Sequence, residues 1–246
     1  MTDILLLPKG LLKRAAVKAI DLIYPRRCPV CDEPAPAGEE ICLSCMKSLK
    51  ALKYPWCDKC GKKLNSGTGI CSDCERKAHS FARCRSVFEY PCISGAIYRF
   101  KYLGRREYAS CFARCSVKIL GDYISVVNPD MIACVPLSKG KMLKRGYNQA
   151  QDLAEELSKV INVPFCPAAV RRIRNTSPMK LLSPAQRQKN LKNAFKSGQN
   201  VVKSKRILLV DDIYTTGATM DAVSSALLEA GAESVYCMTL ASGAGI

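Results

Sequence analysis

Apolar positions in the second half of this chain follow two alternating patterns. Met131 to Val135, Ile207 to Val210 and Val235 to Leu240 are apolar blocks of strand length. Between them run two stripes, Ala150, Leu153, Ala154, Leu157 and Ile161, then Val223, Ala226, Leu227 and Ala230. The blocks predict buried strands, and the i, i+3, i+4 stripes predict helices with one face turned inward. Pro136 closes the first block and Gly231 caps the last helix. Strand, loop, helix therefore occurs twice, the order expected of an α/β fold with a parallel sheet flanked by helices.

The first half reads differently. Residues 11–23 carry Leu12, Ala15, Ala16, Ala19, Ile20 and Ile23 at helical spacing, with Lys13, Arg14 and Lys18 elsewhere, predicting an amphipathic N-terminal helix within residues 1–25. Such a stripe usually docks on the protein's own body; peripheral contact with an anionic membrane is the competing use. Then come Cys28, Cys31, Cys42 and Cys45, and the same spacing again at Cys57, Cys60, Cys71 and Cys74. All four positions recur with a shift of 29 residues. A Cys-x2-Cys turn offers two sulfurs at adjacent corners of a tetrahedron and a second turn closes it, so the eight cysteines predict a double zinc-ribbon module over residues 26–80. Redox dithiols and an iron–sulfur cluster are the alternatives. The ions would be structural Zn²⁺, one or two depending on whether each repeat closes its own site. His79 reads as a surface residue beyond the last pair. Cys84, Cys92, Cys111, Cys115, Cys134, Cys166 and Cys237 lack pair spacing and read as small buried hydrophobes.

Fifteen cysteines also bear on the compartment. Ile4 to Leu7 is too short for the core of a signal peptide, and no run approaches the ~20 apolar residues of a membrane span. The expectation is a cytoplasmic protein whose cysteine pairs hold metal rather than form disulfides.

The densest chemistry lies at Ile207 to Thr219, ILLVDDIYTTGAT. Asp211 and Asp212 end the predicted strand, and Thr215, Thr216, Gly217, Ala218 and Thr219 lead into the next helix. Backbone N–H groups of such a loop and the helix N-terminus converge on an anion, and a glycine lets the backbone come close. Adjacent buried carboxylates are costly without a partner, and sugar hydroxyls or a hydroxyl-bound Mg²⁺ would supply one. A ligand carrying both a phosphate and a diol uses both halves. A second anion loop follows the strand at Met131, with Pro136, Leu137, Ser138, Lys139 and Arg145.

The net charge of +17 adds an anionic partner to this picture, nucleic acid, a phosphorylated metabolite or an anionic membrane. Its excess lies mostly between residues 81 and 200. Lys101, Arg105 and Arg106 alternate with aromatics in a stretch that either contacts nucleic acid or sends its aromatics into the core. Arg171, Arg172 and Arg174 open a run of eight cations without an acid, reaching Lys196.

The order of these pieces, a cysteine-rich ribbon, RFKYLGRR, VPLS with RGYNQA, RNTSPMKLLSPAQRQKNLKNAF and ILLVDDIYTTGAT, resembles the ComF family of competence-associated proteins across nearly the whole chain. Met179 and Leu181 depart from that family's usual glutamine and glycine. The resemblance implies a type I phosphoribosyltransferase-like domain over residues 81–246 that binds 5-phosphoribosyl-1-pyrophosphate (PRPP) with Mg²⁺. Asp211 and Asp212 would take the ribose hydroxyls, Thr215 to Thr219 the 5′-phosphate, and the loop from Pro136 the pyrophosphate. It further implies single-stranded DNA and a competence ATPase or helicase as partners during natural transformation. An active phosphoribosyltransferase releasing pyrophosphate to an unidentified acceptor is the alternative. Glutamine-dependent amidotransfer is disfavoured, because no nucleophile for releasing ammonia is apparent.

Overall fold

The computed structural model describes residues 26–36, 39–65, 67, 69–174, 191, 193–203 and 205–243, without the side chains of residues 199 and 200. The expected helix over residues 11–23, the departures at Met179 and Leu181, and the cations at Lys180, Arg187, Lys189 and Lys192 lie outside the described residues. The chain divides into two compact units, the first ending at Leu49 and the second beginning at Lys50.

The 29-residue repeat recurs in the backbone. Cys28 N–H donates to Glu33 O at 2.8 Å and Asp32 N–H to Cys28 O at 2.8 Å; the corresponding bonds in the second copy are Cys57 to Lys62 at 2.7 Å and Gly61 to Cys57 at 2.9 Å. Bridges Arg27 to Pro34 and Trp56 to Lys63 also correspond. Each third cysteine is the N-cap of a short helix, Cys42 for α1 (Leu43–Ser48) and Cys71 for α2 (Ser72–Arg76). Asp32 and Gly61 hold the same left-handed turn position, at φ 67° and 71°. Only the second copy requires glycine for space, since a Cβ on Gly61 would lie 2.6 Å from Cys84 O.

In the larger unit, β1 (Arg83–Glu89), β2 (Met131–Cys134), β5 (Arg206–Tyr214) and β6 (Ser234–Ser242) form a sheet in the order β1-β6-β5-β2. Every pairing is parallel, as the two strand-loop-helix units predict. Helices α3 (Tyr90–Tyr102), α4 (Tyr108–Val127), α5 (Lys139–Arg145) and α6 (Gln149–Ile161) occupy the connections in the first half of this unit. A small antiparallel pair, β3 (Val170–Arg172) with β4 (Phe195–Ser197), and the short α7 (Gln199–Val202) precede β5, and α8 (Ala218–Glu229) joins β5 to β6. The predicted inner stripe of α6 is buried at Ala150, Leu153, Ala154 and Leu157, and that of α8 at Val223, Ala226 and Leu227.

The second ribbon shares this core. Cys57 and Cys60, both fully buried, cluster with Phe81, Cys84, Tyr214, Ala218, Met220 and Val223. The buried Arg85 guanidinium donates to the carbonyls of Cys57, Asp58 and Cys84 at 3.3, 3.1 and 2.8 Å. A buried cation surrounded by carbonyl acceptors fixes the ribbon turn against β1. Of the seven cysteines outside the Cys-x2-Cys repeats, Cys84, Cys111, Cys134 and Cys237 are buried as expected, whereas Cys92, Cys115 and Cys166 are half-buried.

Candidate functional site

The site arises where two adjacent strands end at different heights. β2 pairs with β5 from Met131↔Ile207 to Cys134↔Val210. β6 continues beside β5 through Asp211↔Thr239, Ile213↔Ala241 and Tyr214↔Ser242. The predicted strand Ile207 to Val210 therefore runs on to Tyr214, because β6 supplies partners after β2 has stopped. Asp211 and Asp212 stand within the strand, half-buried, at the step left by β2. This is the crevice beyond the carboxyl ends of parallel strands, where α/β folds place ligands.

Each acid has a defined environment. Asp211 Oδ1 accepts from Asp212 N–H at 2.8 Å, and Asp212 Oδ1 accepts from Lys101 Nζ at 2.8 Å. Burial, then the neighbouring Asp212 charge, push the Asp211 carboxyl up to about 7, with Lys101 and Lys141 pulling the other way. Lys141, on α5, is exposed overall, yet lost hydration and then Arg145 and Arg172 lower its pKa while the acid pair opposes them. Two carboxylates, one with a proton to give up near neutrality, and two lysines converge on the step.

The loop beyond the acids has the expected form. Gly217 caps α8 at φ 73°, and a Cβ there would collide with the Tyr214 hydroxyl and lie 3.1 Å from His79 Cε1. Ala218 begins the helix and is buried, Thr216 and Thr219 are half-buried, and Thr215 is exposed. His79 departs from expectation: its side chain is only 3% exposed, stacked on Phe81 and bonded to Asp221. Asp221 on α8 and Phe81 two residues along give the ring both partners it needs, and the first of these is invisible in its immediate sequence.

The loop after β2 runs beside β5, with Val135 N–H on Val210 O at 3.0 Å. Pro136, Leu137 and Ser138 are half-buried and Lys139 exposed; Ser138 Oγ is used to cap α5 by accepting from Lys141 N–H. Arg145 stacks on Tyr102 at 4.7 Å and donates to its hydroxyl at 3.0 Å and to Gln149 Oε1 at 2.7 Å. Tyr147 donates its hydroxyl to Phe100 O, and Asn148 both caps α6 at Ala150 N and donates to Val135 O. RGYNQA thus braces Phe100 and Tyr102, the neighbours of Lys101, against the end of β2. That bracing delivers Lys101 to Asp212.

The nucleic-acid candidates separate. Lys101 belongs to the acid pair, Arg106 binds Asp152 through Nε and Nη2 at 2.8 and 2.9 Å, and Arg105 Nη1 lies 3.7 Å from Glu107. Of the aromatics beside them, Phe100 enters the core while Tyr98 and Tyr102 face outward. Arg171 on β3 and Arg174 just beyond it are exposed, and Arg172 lies over the Phe195 ring at 5.4 Å.

The cysteines close two separate quartets, one per repeat. Within each, the four sulfurs lie within 4.8 Å of one another. Sulfur pairs Cys31–Cys42, Cys57–Cys74 and Cys60–Cys71 are 3.8, 3.7 and 3.6 Å apart. A tetrahedral zinc with bonds of ~2.3 Å places its sulfurs about 3.8 Å from each other, so both donor sets fit the ion. Burial pushes the Cys57 thiol up, but N–H groups of Cys60, Cys71 and Lys59 outweigh it and hold it down to about 7.

Comparison with known proteins agrees with both halves. Residues 19–75 match the double zinc ribbon domain and residues 118–245 the phosphoribosyl transferase domain. Competence protein F of Haemophilus influenzae is 31% identical over 211 residues, covering 83% of this chain and 91% of the relative. The chain belongs to the ComF family. Competence protein ComFC of Bacillus subtilis is 32% identical over 214 residues, covering 82% and 84% of the two chains. The DNA utilization protein YhgH of Escherichia coli K12 is 32% identical over 228 residues, covering 89% of this chain and all of the relative. In this ComF chain the eight paired cysteines are two structural zinc sites and the larger unit has a phosphoribosyltransferase-type fold. Among the described residues no helix is long and apolar enough to cross a membrane.

Proposed function

We propose that this ComF protein binds PRPP with Mg²⁺ at the step beyond β2 and uses that site while handling single-stranded DNA in natural transformation. The observation that carries the reading is the juxtaposition of Asp211 and Asp212 with the glycine-capped loop at Gly217, one half suited to a diol and the other to a phosphate. Asp211 and Asp212 take the ribose hydroxyls, Thr215 to Thr219 the 5′-phosphate, and the loop from Pro136 with Lys139 the pyrophosphate. Magnesium binds through one or two carboxylates plus phosphate oxygens and keeps several waters, which this acid pair allows. Lys101 holds Asp212 until the ligand arrives. The names of the relatives, competence proteins and DNA utilization proteins, support the cellular role.

Calorimetric titration of the zinc-loaded protein with magnesium and PRPP tests the site. Heat of binding without pyrophosphate release is the expected result, and no binding refutes the assignment. Pyrophosphate release that depends on an added acceptor makes the protein a transferase instead.

The proton on Asp211 adds a pH signature. A ligand that requires the carboxylate competes with a proton below about pH 7, so PRPP affinity falls toward about tenfold per unit there and levels off above. At pH 6 the titration heats, compared in two buffers of different ionisation enthalpy, report close to one proton released. An affinity flat between pH 5.5 and 8 means Asp211 does not meet the ligand as a carboxylate.

For DNA, Arg171 and Arg174, exposed on and beside β3, are the stronger candidates, since Arg106 is held by Asp152. Replacing Arg171, Arg172 and Arg174 with Ala lowers the magnitude of the salt slope for oligodeoxythymidine binding by about 0.7 for each phosphate that is no longer neutralised. An unchanged slope, measured by fluorescence anisotropy, would leave these arginines as a solvated face. A competence ATPase or helicase and a cytoplasmic location belong to the same reading.

A further inference from the structure

One carboxylate ties the second cysteine quartet to the helix of the anion loop. Asp221, in the first turn of α8, accepts from Lys77 Nζ at 2.6 Å, His79 Nδ1 at 2.8 Å and Ser80 N–H at 3.1 Å. Ser80 Oγ also meets Ser225 Oγ at 2.8 Å, one turn further along α8. The His79 ring stacks on Phe81 at 4.7 Å, Phe81 meets Tyr214 edge-on at 6.4 Å, and His79 and Tyr214 both border the space a Cβ on Gly217 would take. Behind them, Cys57 and Cys60 share one core cluster with Phe81, Tyr214 and Ala218. Lys77 follows the ligand Cys74 by three residues.

This arrangement has an electrostatic consequence. A negative side chain in the first turn stabilises a helix, but the same charge opposes an anion arriving at that helix's N-terminus. The Lys77 ammonium offsets it and the His79 ring fixes the carboxylate through a hydrogen bond, leaving the loop amides to act on the ligand. Both residues belong to the segment leaving the quartet, so closing the quartet around zinc also holds these two partners on Asp221. The side chains concerned are mostly buried, at 11% exposure for Asp221 and 29% for Lys77, so bulk salt does not substitute for them.

We propose that Asp221, with Lys77 and His79, is the positioning element through which the second cysteine quartet holds the loop Thr215–Thr219 in its anion-binding form. Zinc in that quartet and a phosphate-bearing ligand in the loop then raise each other's affinity by the same factor, as linkage requires. This rests on the reading of the loop as the 5′-phosphate cradle.

The test uses Asp221→Asn in the full zinc-loaded chain, which leaves all eight cysteines in place. Two zinc equivalents are retained, and without any ligand, amide exchange in residues 215–221 rises about tenfold, a shift at the lower end of typical couplings. The affinity for PRPP falls by a smaller factor, because the same change removes a negative charge from the helix N-terminus. Saturating magnesium and PRPP slow chelator-driven opening of residues 57–74 in the wild type, followed by exchange in that segment, and this slowing is lost in the variant. A change that merely loosened the protein would raise exchange without removing the slowing. Unchanged loop exchange in Asp221→Asn overturns the proposal even where PRPP binds, as does equal slowing in both proteins. Failure of the wild type to bind PRPP overturns the functional reading, and the ligand-free exchange then decides the positioning role.

Discussion

Replacing both Asp211 and Asp212 with Asn weakens PRPP binding by about 30- to 100-fold while leaving the protein folded, and the single change Asp211→Asn makes the protein more stable above neutral pH. The binding loss follows from removing two charged acceptors: hydrogen bonds to charged groups contribute about 1.5–3 kcal/mol each, and a neutral amide oxygen keeps roughly half. The gain in stability follows from the proton. Burial and the Asp212 charge raise the Asp211 carboxyl from 3.8 to about 7 in the folded protein. Between those values the folded state binds more protons than the unfolded chain, so stability is full below about pH 4, falls as pH rises through 7, and is flat beyond. Three units correspond to about 4 kcal/mol, and partial solvent access to the step brings the cost nearer 2 kcal/mol. Asn removes the ionisation while its oxygen still accepts from Asp212 N–H. Melting temperature in Asp211→Asn should rise by about 4–8 °C at pH 8 and by much less at pH 5. An equal shift at both values would mean that Asp211 is not held protonated by its surroundings, and unchanged PRPP affinity in the double variant would remove the ribose contacts.

On the proposed function such opposed effects are expected: acids are kept where they destabilise the empty protein because the ligand uses them. Local pattern is enough to find this site in the sequence, since strand, acids, small loop and helix are consecutive. The zinc quartets are legible the same way, because a tetrahedral site writes its spacing directly into the chain. Lys101 reads from its neighbours as a nucleic-acid contact, whereas the structure places it on Asp212, 111 residues away. Nothing within the RFKYLGRR stretch encodes that partner; RGYNQA brings it there by bracing Phe100 and Tyr102. His79 reads as exposed in the same way, because the acid that holds it, Asp221, is 142 residues distant. The strand ending at Val210 by apolar pattern continues to Tyr214 because pairing with β6, rather than burial, keeps it extended. Local periodicity carries the elements, and the contacts that complete the site lie between elements where periodicity is silent.

The second large effect concerns the metal. Serine at both Cys57 and Cys60 removes one zinc equivalent and destabilises the whole larger unit, with a fall in melting temperature exceeding about 10 °C. Structural zinc contributes about 10–16 kcal/mol of apparent binding free energy in small isolated domains, and that free energy is folding free energy when the apo site is unfolded. In this chain only the part coupled to the sheet reaches the sheet, and the coupling is visible. Both cysteines are fully buried in the cluster with Phe81, Tyr214, Met220 and Val223, and Gly61 between them and β1 leaves no room for a Cβ. Opening the quartet also frees the carbonyls of Cys57 and Asp58 from Arg85, leaving a buried guanidinium short of acceptors at a cost of about 1–3 kcal/mol. Here the second repeat is a wall of the sheet domain, so zinc content and the melting of the phosphoribosyltransferase-type unit should fall together. Full retention of both ions would show that these cysteines are not ligands, and loss of one ion with unchanged melting would show that the shared core contributes nothing to the sheet's stability.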